Sequence, residues 1–229
     1  MVKSMISKLE HVLEEMLPFW NKLQNEQKVM LSQRAIDKNY LTGTILHAGK
    51  EDCVGLFLIC SGRIRAYIVT EDGKEITLFR LVEKELCIFS ASCMLRNISF
   101  DIWISAENDV EAILIPSSVY SQLSEKSIAV ANFTNEIMSA RMSDVMWVLE
   151  QMLFTSFNKR LAKFLIMQSD FDKTDTLKIT HEQIANHLGS AREVVTRMLK
   201  YFSEEDLILL KRGSVKIIDK QGLIILTQS

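Results

Sequence analysis

From Ile128 to Met152 one row of residues, Ile128, Ala131, Asn135, Met138, Met142, Val145, Leu149 and Met152, recurs at spacings of 3, 4, 3, 4, 3, 4 and 3. Only a continuous α-helix collects such a row on one side, and the pattern holds for more than three heptads. A stripe this narrow expects a partner helix, because a helix resting on a globular core usually carries a wider apolar face. Taking Ile128 as an a position puts Asn135 at a as well, where a buried amide fixes parallel two-stranded register. The row is read as the seam of a homodimer; the alternative is a stripe that packs on the chain's own N-terminal half.

What precedes this helix has a different period. Five of the eight glycines, Gly43, Gly49, Gly55, Gly62 and Gly73, fall within 31 residues, as turns between short strands would require. Between them Leu56, Leu58 and Cys60 alternate with Phe57, Ile59 and Ser61, and Arg63 and Arg65 alternate with Ile64 and Ala66. Glu71-Asp72-Gly73-Lys74 is a hairpin turn. Strand character returns at Ile102 to Ile104 and Val110 to Ile115 and stops at Pro116. Residues 40–116 are therefore expected to form a small antiparallel β-barrel or roll, after a helical stretch from Lys8 to Ile36 broken at Pro18.

A length of 229 residues predicts one or two folded units at about 150 residues each. With 48% hydrophobic and 24% charged residues the chain can build an ordinary core. The longest apolar run, Val54 to Cys60, is far short of the roughly 20 residues of a membrane span. Lys3, Lys8, Glu10, Glu14 and Glu15 interrupt any signal-peptide core, so a cytoplasmic protein without membrane partners is expected. Net charge is −2, but residues 155–229 hold twelve Lys and Arg against nine Asp and Glu, which leaves −5 on residues 1–154. The cationic end is where a polyanion would dock.

That end carries the most informative motif. After a hinge at Thr155 and Ser156, a helix with Phe157, Leu161, Phe164 and Leu165 runs into the polar stretch Ser169 to Asp175. Thr180-x-x-Gln183 is a capping box that opens a helix with Ile184, Ala185 and Leu188 inward; Gly189 permits a sharp turn. Ser190-x-x-Glu193 reads as a second capping box, opening a helix with Val195, Met198, Leu199 and Phe202 on one face. Two capped helices about a glycine make a helix-turn-helix, whose second helix enters a major groove. Its other face offers Arg192, Glu193, Thr196 and Arg197 as base readers, since arginine forks match guanine and a carboxylate accepts from cytosine. The competing reading makes Glu193 a cap and Arg197 its surface ion-pair partner. Leu207 to Leu210 and Ser214 to Ile218 flank Lys211-Arg212-Gly213, a wing hairpin. Thr180, His181, Ser190, Lys211 and Arg212 are the expected phosphate contacts.

The whole arrangement resembles the cyclic-AMP receptor protein and fumarate and nitrate reduction regulator family, Crp/Fnr. The resemblance is carried by Gly189 to Arg197, by Leu207-Ile208, by Gly49-Lys50-Glu51 through Leu58-x-x-Ser61-Gly62-x-Ile64-Arg65, and by Asp72-Gly73-Lys74-Glu75. It implies an α+β chain in three parts. Residues 1–120 would hold a double-stranded β-helix, a jelly roll of the cyclic-nucleotide-binding kind, with N-terminal helices. Residues 121–154 would be the dimerisation helix and 155–229 the winged helix-turn-helix. It further implies that Arg192, Glu193 and Arg197 read a palindromic double-stranded DNA site, that the output is transcription regulation, and that RNA polymerase is a partner.

The sensing chemistry departs from the family pattern. Cyclic-nucleotide binders carry Gly-Glu-Leu and then Arg-Ser/Thr-Ala; here the first is Lys84-Glu85-Leu86-Cys87, and the second region, Ser99 to Ala106, has Asp101 and no arginine. Cyclic AMP, an anion, is thus not the expected effector, although Arg96 is a candidate substitute. A small-molecule site between roll and long helix would use Phe89, Arg96, Trp103, Phe133 and Arg141. Cys87 and Cys93 could form a thiol redox pair, the alternative mode of control, but packing as small hydrophobes is the simpler role. With Cys53 and Cys60 they lack any C-x2-C spacing, so no metal is expected. His47 is expected on the surface, and His187 as a phosphate contact or plain surface residue. Catalytic motifs such as Gly-x-Ser-x-Gly or His-Glu-x-x-His are missing, and no enzyme is expected.

Overall fold

The run Val54 to Cys60 is unbroken by polar residues because its strand is covered on both sides. In the computed structural model, which describes residues 2–49, 54–88 and 101–228, the first strands are β1 (Ile36–Tyr40), β2 (Ile45–Ala48), β3 (Gly55–Ser61) and β4 (Arg63–Val69). They are followed by β5 (Glu75–Val82), β6 (Leu86–Cys87), β7 (Trp103–Ala106) and β8 (Val110–Pro116). One sheet has the order β1-β8-β3-β6 and the other β2-β7-β4-β5, with the resolved registers antiparallel, which is the jelly roll. Phe57 and Ile59 of β3 and Ala112 and Leu114 of β8 point between the sheets, onto Leu46, Ile64, Leu81 and Ile104. Their neighbours Leu56, Leu58, Ile113 and Ile115 point the other way, into a helical layer. A strand with two buried faces has no place for alternating polar residues.

That layer is α1 (Val2–Met16), a 3-10 turn over Trp20–Lys22, α2 (Asn25–Arg34), α3 (Ser117–Lys126) and α4 (Ile128–Phe154). Pro18 falls in the break between α1 and the turn, as its missing N–H demands. Leu13, Leu17, Trp20, Leu31, Tyr120, Leu123 and Val130 fill the layer. Tyr120 Oη lies 2.8 Å from Thr134 Oγ1 and joins α3 to α4. The helical range expected over 121–154 is thus the end of α3 plus all of α4, interrupted at Ser127.

Two expectations need correction. The roll begins at Ile36 and not at residue 40; Asp37, Lys38 and Asn39 hide the strand period because β1 is a sheet edge that among the described residues pairs with β8 alone. His47 is buried, 1% exposed, and not a surface imidazole. A bulge between Ile45 and His47 breaks the alternation, so Leu46 and His47 both turn inward.

By contacts the chain divides into one unit of Met1–Ile68 with Leu78–Val145 and another of Val69–Thr77 with Met146–Ser229. The second holds α5 (Phe157–Asp172), β9 (Thr176–Leu177), α6 (His181–Leu188), α7 (Arg192–Glu204), β10 (Ile208–Lys211), β11 (Ser214–Ile217) and α8 (Lys220–Gln228). Leu161, Phe164, Leu165, Ile184, Val195, Leu199, Phe202 and Leu223 form its core, and its sheet has the order β10-β11-β9. β9 and α8 have no counterpart in the sequence reading. β9 is two residues long, and the continuous run Leu223 to Leu226 shows no helical period. No helix among the described residues is long and apolar enough to cross a membrane.

Candidate nucleic-acid interface

The interface is built around a turn. Thr180 caps α6: its Oγ1 accepts from the Gln183 N–H at 3.2 Å, while Gln183 Oε1 accepts from the Thr180 N–H at 2.8 Å. Gly189 ends α6 in the left-handed region, φ +60°, where any side chain would be strained. The Gly189 and Ser190 N–H groups both donate to the Ala185 carbonyl, and the Arg160 Nη2 donates to the Leu188 carbonyl at 3.1 Å. Arg160 was not singled out by sequence, because nothing in its own segment signals a carbonyl 28 residues on. Burial pushes its guanidinium pKa down.

The second capping box does not form. α7 starts one residue later than that box requires: its N-cap is Ala191, which has no side-chain cap, and the Ser190 N–H donates to the Ala185 carbonyl. From this start Val195, Leu199 and Phe202 are buried with Met198 beside them, and Arg192, Glu193, Thr196 and Arg197 stand on the exposed side. The first two turns of α7 therefore present two guanidiniums and a carboxylate in one row. Among the described residues Arg192, Glu193 and Arg197 take part in no ion pair, unlike Lys200, which meets Glu204 at 3.7 Å. The competing Glu193–Arg197 couple is not formed.

Thr196 is differently placed. Its hydroxyl donates to the Arg192 carbonyl at 2.9 Å and lies 2.8 Å from Nδ1 of His181, the first residue of α6. Burial, and then the charge of Arg192, hold the His181 pKa below the ordinary histidine range. His187 is turned elsewhere, against the Phe164 ring and 2.8 Å from Thr77 Oγ1. Gly213, φ +74°, turns the wing, and Lys211 and Arg212 are exposed there.

The residues expected to hold an effector occupy three separate settings. Phe133 packs edge-on against Phe19 in the helical layer, with ring centroids 5.1 Å apart. Trp103 lies beside Tyr67, centroids 6.5 Å apart, and Arg141 sits over the Phe79 ring, 3.6 Å from Glu85 and 2.7 Å from Asp144. Phe89 and Arg96 lie outside the described residues. Lys84 takes φ +69°, the backbone a glycine would adopt there. Cys87 is 1% exposed in the inter-sheet core, and Cys60 is half-buried with its thiol pKa pushed up, chiefly by burial. Cys53 and Cys93 lie outside the described residues. Among the described residues no group of three or more His, Cys, Asp or Glu is placed to hold a metal ion.

On α4 the row seen in the sequence divides. Met138 and Val145 rest partly on the roll, whereas Ile128, Met142, Leu149 and Met152 are 80%, 59%, 45% and 40% exposed and Asn135 is exposed with them. Met146, Trp147, Leu153 and Phe154 add further exposed apolar surface. Exposed apolar residues in such succession are characteristic of interaction surfaces.

Three comparisons bear on this arrangement. The model of the Crp-like helix-turn-helix domain matches residues 159–225. A solved structure from Eubacterium rectale, assigned to the Crp/Fnr family of transcriptional regulators, is 46% identical over 94% of this chain and 100% of that one, with a TM-score of 0.92. The cAMP-activated global transcriptional regulator CRP of Pasteurella multocida is 24% identical, covering 78% of this chain and 87% of that protein. The fumarate and nitrate reduction regulatory protein of Yersinia pestis is 26% identical, covering 79% and 74%.

Proposed function

The chain belongs to the Crp/Fnr family of DNA-binding transcription regulators, and from that membership we propose that it acts in the cytoplasm as a homodimer on a palindromic site. Residues 1–120 sense, 121–154 pair and 155–229 bind DNA, with RNA polymerase as the downstream partner. The observation that carries the reading is the row Arg192, Glu193 and Arg197 on the exposed first turns of α7, without an ion pair among the described residues. Such groups reach base edges in a major groove, while Thr180, His181, Ser190, Lys211 and Arg212 meet phosphates. Two-fold pairing sets recognition helices about 34 to 36 Å apart, one turn of duplex.

The exposed α4 row supports pairing through Ala131, Asn135, Met142, Leu149 and their neighbours. The purified chain is expected to show twice its 26.3 kDa mass by light scattering and to leave a two-fold symmetric footprint. Met142→Glu with Leu149→Glu should give monomers whose affinity for the site falls by about a hundredfold, since the half-sites are then bound independently. A monomeric wild type, or an asymmetric footprint, would defeat this reading.

An effector acts at the contact of roll and α4, and it is not cyclic AMP. Glu85 Oε2 already accepts the Val82 N–H at 2.9 Å and Oε1 faces Arg141, while the second cassette region, Ser99 to Ala106, has Asp101 and no arginine. Isothermal titration with cyclic AMP should give no heat; binding at about micromolar dissociation constant overturns this.

A further inference from the structure

We propose that His181 couples docking of the DNA backbone to proton uptake by each protomer, an inference that rests on α6 and α7 being the DNA-binding pair. The argument starts from a count of hydrogens. Thr196 has a single hydroxyl proton and gives it to the Arg192 carbonyl at 2.9 Å. The 2.8 Å contact with His181 must then have Nδ1–H as donor and Thr196 Oγ1 as acceptor. A neutral ring with its proton on Nδ1 keeps a lone pair on Nε2, and no group among the described residues bonds to that nitrogen.

Phosphate oxygens of a phosphodiester only accept. A neutral His181 therefore has nothing to offer one from Nε2, whereas an imidazolium donates Nε2–H to the phosphate and keeps Nδ1–H on Thr196. The proton comes from solvent water or buffer, and no other bond changes.

The charges around the ring set the sign. α6 contributes Glu182 beside it and α7 contributes Arg192 and Glu193; of these Arg192 is the one whose charge acts on the imidazole, disfavouring its protonation in addition to the larger effect of burial. Both effects favour the neutral ring in the free protein. An incoming phosphate brings an anion to the ring and offsets Arg192, and both changes favour the imidazolium. Bound DNA raises the His181 pKa, so affinity must increase as pH falls through the bound value and level off below the free one.

Thr196 becomes a positioning residue in this scheme. The chain from phosphate to His181, Thr196 and the Arg192 carbonyl ties backbone docking to the turn that carries a base reader.

Because a phosphate contact acts on any sequence, the test uses the full chain and a fluorescein-labelled duplex of about 40 base pairs at low, constant ionic strength. Between about pH 7.5 and 5.5 the wild-type dissociation constant should drop by up to about tenfold for each engaged protomer. His181→Asn, which keeps an N–H donor but does not ionise, should match wild type near pH 8 and stay flat. A flat wild type, or an unchanged slope in His181→Asn, overturns the proton coupling; failure of the wild type to bind duplex at any pH overturns the DNA-binding reading itself. Should the variant not fold, nuclear magnetic resonance titration of the wild-type ring decides the matter: its midpoint must rise on adding duplex, and an unmoved midpoint refutes the coupling.

Discussion

Alanine at Arg192 or at Arg197 is expected to weaken binding to a duplex selected by the wild type from a random pool by about 5- to 150-fold, or 1–3 kcal/mol, and to relax preference at one base pair in each half-site. The size follows from what an arginine fork does. A guanidinium pairs two donors with guanine O6 and N7, and its removal leaves the base edge without partners in a groove from which water is largely excluded. Neither side chain has an ion pair among the described residues, so the loss is read on DNA and not through a disturbed fold. Lys211 and Arg212, on the exposed tip of the wing, provide the contrast. Alanine there should weaken selected and random duplexes alike and flatten the dependence of log affinity on log salt by about 0.9 for each lost contact. Equal losses on both duplexes for Arg192 would remove it from the base-reading row.

These side chains were legible in advance because helix signals are local. The Thr180 capping box, the Gly189 turn and the inward row of α7 lie within a few residues of what they determine, and the structure has each of them. The continuous helix α4 was legible for the same reason. What depends on distant partners was not. His47 turns inward through a bulge whose register is set by β7, more than 50 residues on. Ser190 reads as the cap of α7, but that helix starts one residue later and the Ser190 N–H closes α6 on Ala185. The edge strand β1 is polar and shows no alternation, though pairing with β8 defines it. The bond from His181 to Thr196 joins side chains 15 residues apart, a separation at which neither residue type announces the other. Arg63 and Arg65 marked a strand by alternation, but their spacing carried no hint of the carboxylate waiting for one of them.

That carboxylate is Glu107, and its loss is expected to destabilise the roll strongly. Glu107 follows β7; its Oε2 accepts from Arg63 Nε on β4, its Oε1 accepts from Arg80 Nε on β5 at 2.8 Å, and its N–H donates to the Arg63 carbonyl at 2.9 Å. The three side chains are only 11%, 7% and 11% exposed for Arg63, Arg80 and Glu107. Burial already pushes the Arg80 guanidinium pKa down, and Glu107 acts against that while Arg63 and Arg65 add to it. Glu107→Ala leaves two guanidiniums desolvated side by side without this carboxylate, so a loss of about 3–5 kcal/mol is expected for the roll. The charge itself need not be the source of stability. Replacing Arg63, Arg80 and Glu107 together by methionine or leucine removes the desolvation along with the attraction, and should cost far less than Glu107→Ala alone. Hydrogen exchange at the β4 and β7 amides measures both variants in the intact chain. If Glu107→Ala protects those amides as well as wild type does, water reaches the cluster and the three charges contribute only what exposed pairs do.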